Sequence, residues 1–312
     1  MRFYVGVMDH EQYEYLFTLK PYEINFWQPC GDRAFRALQP GELFLFKLHS
    51  PYNAIAGGGF FVKHAFLPVS YAWRAFEQNN GVPKYETLRS KINQYRHGSR
   101  KEHDPIIGCI ILADPFFLSK ERWINSPSDW KPNIVQGKRY NTESVAGAAV
   151  WNQVKERLQI HTQSLFSPWQ DLVTSKKGAH FDLEYLTRAR LGLGGFRVLV
   201  TDAYKRRCCF TGECTLPVLD AVHIKPFSQS GPHQVNNGIL LRTDLHRLFD
   251  NGYLTITKDY FIEVSPRIRE DYKNGKHYYA LHGNQLSVLP ADRNEWPSLE
   301  FIEWHNQHLF AK

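Results

Sequence analysis

The chain has 312 residues, 43% of them apolar, which is enough for two ordinary hydrophobic cores and excludes a chain that is disordered as a whole. Its formal charge of +7 favours a polyanionic partner over a cationic one. The N-terminus lacks the basic start and apolar run of a secretory signal, and no apolar stretch approaches the roughly 18 residues of a membrane span, so the sequence reads as soluble, cytoplasmic and without a membrane partner.

Residues 1 to about 115 carry short runs rich in aromatic and β-branched residues, RFYVGV, GELFLFKL, GGGFFVKHAFLPV and IIGCIIL, set apart by Gly and Pro. This pattern predicts a compact β-barrel. Between the runs, VSYAWRAFEQNNGVPKYETLRSKINQYR repeats its apolar residues at helical spacing, with Asn80-Gly81 closing one helix and Pro83 leading into the next. Two helices therefore flank the barrel. The stretch from Ser167 to Gly195, with Pro168, Lys176, Lys177, Gly178 and the run LGLGG, has the composition of a linker and a turn. The expected domains are 1–165, a linker at 166–195, and 196–312.

In the second domain FRVLVTDAYKRR predicts a short amphipathic helix, LDAVHIKPF and GILLRT predict two strands, and TDLHRLFDNG predicts a helix. Strand, loop, strand and helix bring His223, Asn237 and His246 together if they fold as a ββα hairpin. The segment LDAVHIKPF...GPHQVNNGILLRTDLHRLFDNG resembles the HNH (ββα-metal) endonucleases, in wording close to the subgroup of predicted bacterial restriction endonucleases. The resemblance covers residues 196 to 312 and implies hydrolysis of DNA with a divalent cation, Mg2+ or Mn2+. His223 is then the general base, because an unperturbed histidine, with a pKa of about 6.5, can take a proton from water at neutral pH. His246 is a metal ligand, and Asn237 holds the loop and the imidazole in place.

Many HNH proteins have an Asp directly before the general base, where this chain has Val222. Side chains of a strand alternate faces, so Asp220 is the carboxylate expected to reach the metal in its stead. Of the five cysteines, Cys30, Cys109, Cys208, Cys209 and Cys214, no two CxxC pairs bracket the hairpin, so structural zinc is not expected. Arg242 and Arg247 beside the helix, and Lys205, Arg206 and Arg207 before the motif, are candidate phosphate contacts for double-stranded DNA. The basic run KYETLRSKINQYRHGSRKEH is a further one.

The first domain, through FYVGV, LQPGELFLFKL, AIAGGGFFV and DPIIGCIILADP, resembles PUA-like barrels related to EVE and ASCH domains, which gives an α+β chain of two unlike domains. The resemblance implies a pocket for a modified, flipped base, with Trp27, Tyr71, Trp73, Phe116 and Trp130 as candidates. The combined expectation is a modification-dependent restriction endonuclease that cuts foreign DNA, as a homodimer where both strands are cut. Two alternatives stand beside it: an HNH nuclease reading ordinary sequence or structure, and a non-catalytic nucleic-acid-binding regulator. Replacing His223 with Ala is expected to remove hydrolysis yet leave DNA binding within a few-fold, because binding rests on phosphate contacts elsewhere. Parallel gel-shift and cleavage assays check this.

Overall fold

A computed structural model of the chain describes residues 1–96, 102–161 and 191–311. The expected linker from 166 to 190, and residues 97–101 of the basic run, lie outside the described residues. The chain divides into two compact units, Met1–Gly192 and Leu193–Lys312.

The first unit is built on a seven-stranded mixed sheet in the order β2, β5, β4, β3, β1, β7, with β6 paired to β4. Its strands are β1 (Arg2–Met8), β2 (Glu23–Gln28), β3 (Leu43–Leu48), β4 (Ala54–Pro68), β5 (Ile106–Phe117), β6 (Ile124–Asn125) and β7 (Gly137–Asn141). Its helices are α1 (His10–Leu19), α2 (Val69–Phe76), α3 (Tyr85–Tyr95) and α4 (Val145–His161). Among the described strands only β1 and β3 run parallel, and the β4–β5 ladder is bent by register shifts between Gly58 and Phe60 and between Phe61 and Lys63. Such bulges bend a strand and increase its twist, which lets a long pair curl in the manner of a barrel wall. The three glycines before the first shift serve the same curl, since a Cβ on Gly57 would stand 2.3 Å from the Phe116 carbonyl oxygen.

The run LFLFKL shows why the strands read as uninterrupted apolar text. Leu43 and Leu45 face a core with Phe3, Val5 and the α4 residues Val150, Val154 and Leu158, whereas Phe44, Phe46 and Leu48 face a second core with Tyr13 and Leu16 of α1. A strand covered on both faces loses the polar half of its alternation. The flanking helices α2 and α3 lie where the sequence places them, with Gly81 at φ 77° between them.

The second unit begins with α5 (Leu193–Ala203), so the last three residues of the expected linker belong to a helix instead of a turn. Gly194 and Gly195 are buried in its first turn. Then follow β8 (Leu219–His223), β9 (Gly238–Arg242), α6 (Thr243–Asp250), β10 (Leu254–Ile256), β11 (Ile262–Val264), α7 (Arg267–Tyr272), α8 (Lys276–Tyr279) and α9 (Leu299–His308). One core joins Phe196 and Val200 of α5, Val222, Ile239 and Leu241 of the hairpin, Leu245 and Phe249 of α6, and Ile302 of α9. Gly252 ends the α6 region at φ 73°, where a Cβ would meet the Leu309 carbonyl oxygen at 1.9 Å. Among the described residues no helix is long and apolar enough to cross a membrane.

His305 ties α9 to this core. It is fully buried, with Nδ1 2.9 Å from Thr255 Oγ1 and Nε2 3.1 Å from the Phe249 carbonyl, and burial lowers its pKa to about 4. The unfolded chain, with an ordinary histidine, binds the proton more readily. The neutral ring therefore stabilises the fold fully above pH 6.5, and that contribution is lost as the pH falls toward 4. The melting temperature of the full chain is expected to drop across this window, and His305→Asn to show a shallower drop from a lower starting point.

Candidate active site

The hairpin of β8 and β9 pairs antiparallel with His223 opposite Gly238, Val222 opposite Ile239 and Asp220 opposite Leu241. The loop between the strands is organised from inside by one side chain. Asn237 is fully buried at the end of a short 3-10 turn, and its Oδ1 accepts from the Lys225 amide at 2.9 Å. Its Nδ2 donates to the carbonyls of Lys225 and Pro232, each at 3.0 Å. The Ile224 amide donates to the Asn237 carbonyl at 2.9 Å. Gly231 fits against this clasp because it has no Cβ, which would stand 1.9 Å from the Lys225 carbonyl oxygen. Asn237 thus fixes the chain directly after His223, and it does so without a bond to the imidazole.

His223 is half-buried at the end of β8. Phe196 of α5 stacks on its ring at 3.8 Å and 9°, and its Nε2 stands 2.9 Å from Nδ1 of His233 in the loop. Burial, then the neighbouring His233, Arg197 and His246, lower its pKa to about 4 against the pull of Asp250, so the ring is neutral at pH 7. That is the form a general base needs.

His246 is treated in the opposite way. On α6, Leu245 and Phe249 turn into the core, and His246 and Asp250 share another face one helical turn apart. His246 Nδ1 lies 3.2 Å from Asp220 Oδ2, and its Nε2 lies 3.0 Å from Asp250 Oδ2. Burial alone would lower its pKa, but the hydrogen bonds to Asp220 and Asp250 outweigh it and raise the value to about 9. Val222 is in the core at 1% exposure and offers nothing to a cation, and Asp220 is the β8 carboxylate that reaches His246. Asp250 was missed in the sequence, although its spacing of four from a helical His is a usable signal.

One imidazole and two carboxylates are donor types that a divalent cation takes, but His246 could bind one only as the neutral ring, after losing the proton it shares with Asp220 and Asp250. Among the described residues no group of three or more His, Cys, Asp or Glu could hold a metal ion as it stands. The cysteines are free thiols, with Cys109, Cys208 and Cys209 buried and Cys30 and Cys214 exposed. Burial pushes the thiols of Cys109 and Cys209 up, as expected of packed and unreactive groups.

The expected phosphate contacts are unequal. Lys205, Arg207 and Arg247 are exposed, and Arg206 has Asp202 at 3.8 Å. Arg242 holds Asp244 through two hydrogen bonds of 3.0 and 2.6 Å. In the basic run, Lys91 pairs with Asp9 and Glu11, and Arg96 donates to the carbonyls of Pro29 and Ile106, so these two cations brace the first unit.

The five expected pocket aromatics do not form one cage. Trp27 is buried and donates to the Asn80 carbonyl, and Tyr71 is buried under Arg74. Trp73 is half-buried beside Tyr85, Phe116 belongs to the α4-side core, and Trp130 packs against that core with Lys47 over its ring. An aromatic pocket lies elsewhere in the first unit. It has a volume of about 370 Å3 and is lined by His10, Tyr13, Phe17, Tyr52 and Trp123, with Glu14, Ser119, Lys120 and Glu121 among its polar groups. His10 stacks on Tyr52 at 4.1 Å, and Trp123 stands edge-on to Tyr52 at 5.6 Å.

Residues 208–257 match the HNH_2 family of HNH endonucleases. The chain carries an HNH endonuclease domain. It is accordingly a DNA nuclease, and its hairpin, Asn237 clasp and paired histidines fall within the matched segment. No curated protein matches the chain. Among solved structures, the ASCH protein of Zymomonas mobilis is similar at 12% identity and a TM-score of 0.34, over 47% of this chain and 94% of that one. A point mutant of that ASCH protein is similar at 11% and 0.32, over 48% and 96%. The modification-dependent TagI restriction endonuclease is similar at 13% and 0.28, over 92% and 75%. Superpositions of this quality do not bear on function.

Replacing Asn237 with Ala leaves a buried amide and two carbonyls without partners, at a cost of about 1–3 kcal/mol. The variant is expected to melt at a lower temperature and, with its loop displaced, to lose about a hundredfold in cleavage rate. Thermal melts and single-turnover cleavage check the two effects.

Proposed function

We propose that the chain is a modification-dependent DNA restriction endonuclease, in which the first unit reads a modified, flipped base and the HNH unit hydrolyses the phosphodiester bond. The observation that carries this reading is an aromatic pocket on a unit separate from the nuclease. Its volume of about 370 Å3 is within the range of small-ligand sites, and its walls offer both ring faces and polar groups. The sequence resemblance of this unit to PUA-like barrels agrees. A flipped base must recover a few kcal/mol of lost stacking and pairing, which a pocket of Tyr52, His10 and Trp123 supplies through stacking and edge hydrogen bonds.

In the HNH unit, His223 takes the proton from the attacking water while Phe196 and the Asn237-braced loop hold it in place. His246 and Asp220, with Asp250, would hold the divalent cation. Such an ion stabilises the charge that grows on the phosphate and the leaving oxygen. Lys205, Arg206, Arg207, Arg242 and Arg247 would bind the duplex backbone, and cutting both strands with one site per chain calls for two copies.

The test is digestion of phage and plasmid DNAs with different cytosine and adenine modifications, with Mg2+, Mn2+ or chelator. Cleavage of one modified class, abolished reversibly by chelator, is expected. Trp123→Ala or Tyr52→Ala is then expected to lower the preference for modified DNA more than general affinity. Equal cutting of modified and unmodified DNA by the wild type would leave a nuclease of ordinary specificity.

A further inference from the structure

His223 and His233 are joined by a single hydrogen bond of 2.9 Å between Nε2 of the first and Nδ1 of the second. Two neutral imidazoles can share such a bond in only two ways. If His233 donates from Nδ1, the lone pair of His223 Nε2 is used up and its own proton sits on Nδ1, so the ring has no lone pair left for water. If His223 donates from Nε2, its Nδ1 carries a lone pair, and Nδ1 has no protein partner among the described residues. Only the second arrangement lets His223 act as a base. The inference rests on that role for His223.

The surroundings favour it. Phe227, itself 63% exposed, covers His233 at 4.4 Å and 4°, and Phe196 covers His223, so both rings are pinned by aromatic faces. Burial lowers the pKa of His233 below its ordinary value, which keeps the ring neutral and able to accept. No carboxylate is bonded to His223 among the described residues to orient it, and in its place stands a second imidazole.

We propose that His233 is a positioning residue for the nuclease reaction, its Nδ1 accepting the Nε2–H of His223 and so fixing the tautomer that presents the His223 Nδ1 lone pair to water. The proton taken from water then sits on Nδ1 of His223. The ring becomes an imidazolium, and its bond to His233 becomes charge-assisted and stronger as the transition state forms. The residue touches neither substrate nor cation in this scheme.

Two variants separate this role from support of the loop. His233→Phe keeps a ring against Phe227 and removes the acceptor, whereas His233→Asn removes the ring and keeps an acceptor near the position of Nδ1. On a duplex that the wild type cleaves, His233→Phe is expected to lower kcat about a hundredfold with KM little changed, the scale of general-base assistance. His233→Asn is expected to recover much of that loss, and a role in packing alone would rank the two variants the other way. Ring nitrogen NMR of the full chain near pH 7 supplies an independent readout. It is expected to show His223 protonated at Nε2 in the wild type and a mixture of tautomers in His233→Phe. A wild-type His223 protonated at Nδ1, or full kcat in His233→Phe, would overturn the proposal. Should His233→Phe fail to fold, the wild-type spectrum and His233→Asn still decide. Wild-type cutting by His223→Ala would instead remove the base assignment, a separate failure.

Discussion

The nuclease unit depends on a buried amide. The loop between β8 and β9 has no strand pairing of its own, and Asn237 supplies in its place one acceptor and two donor contacts to Lys225 and Pro232. An amide is the side chain that does this, because it carries an acceptor and two donors in one plane, whereas a carboxylate would meet two carbonyls with negative charge. Leaving any of these groups dry and unbonded costs more than the bond returns, so the clasp works as a unit. It fixes the backbone directly after His223, and with it the ring proposed as the general base.

Around that frame the same residue type is put to two uses by its neighbours. His223, half-buried against Phe196, stays neutral well below pH 7, whereas His246, between Asp220 and Asp250, holds its proton to about pH 9. Groups with pKa values pushed apart in this way take different parts in acid and base chemistry. The neutral ring is the one proposed to accept the proton of water. The other belongs to an acidic nest that suits a cation, and it is the helical spacing of His246 and Asp250 that builds the nest.

Much of this is legible in the sequence because it is local. The polar residues of the ββα hairpin sit at strand ends and on one helix, and the alternating and 3.6-residue patterns give their neighbours away. What the sequence hides is made by tertiary contact. The pocket of His10, Tyr52 and Trp123 joins residues far apart in the chain, and nothing marks them against Trp27 or Phe116, which are equally aromatic and simply buried. The α1 segment escapes because it buries only Gln12, Tyr13 and Leu16, too few to stand out as an apolar stripe. The glycines of LGLGG mislead as well, since Gly194 and Gly195 lie buried in the first turn of a helix. In β8 simple alternation does not hold, since Leu219 and Val222 are both buried while Asp220 stays partly exposed beside His246, and Asp250 is legible by helical spacing once His246 is placed.

In the proposed function, base reading and cutting belong to different units of one chain. Hydrogen exchange of the full chain in chelator, bound in turn to two duplexes that differ by a single modified base, tests this most directly. Protection is expected at the start of α1 and around Tyr52 and Trp123 with the modified duplex alone, and equally at the HNH hairpin with both. Protection that differs at the hairpin and not at the pocket would contradict it.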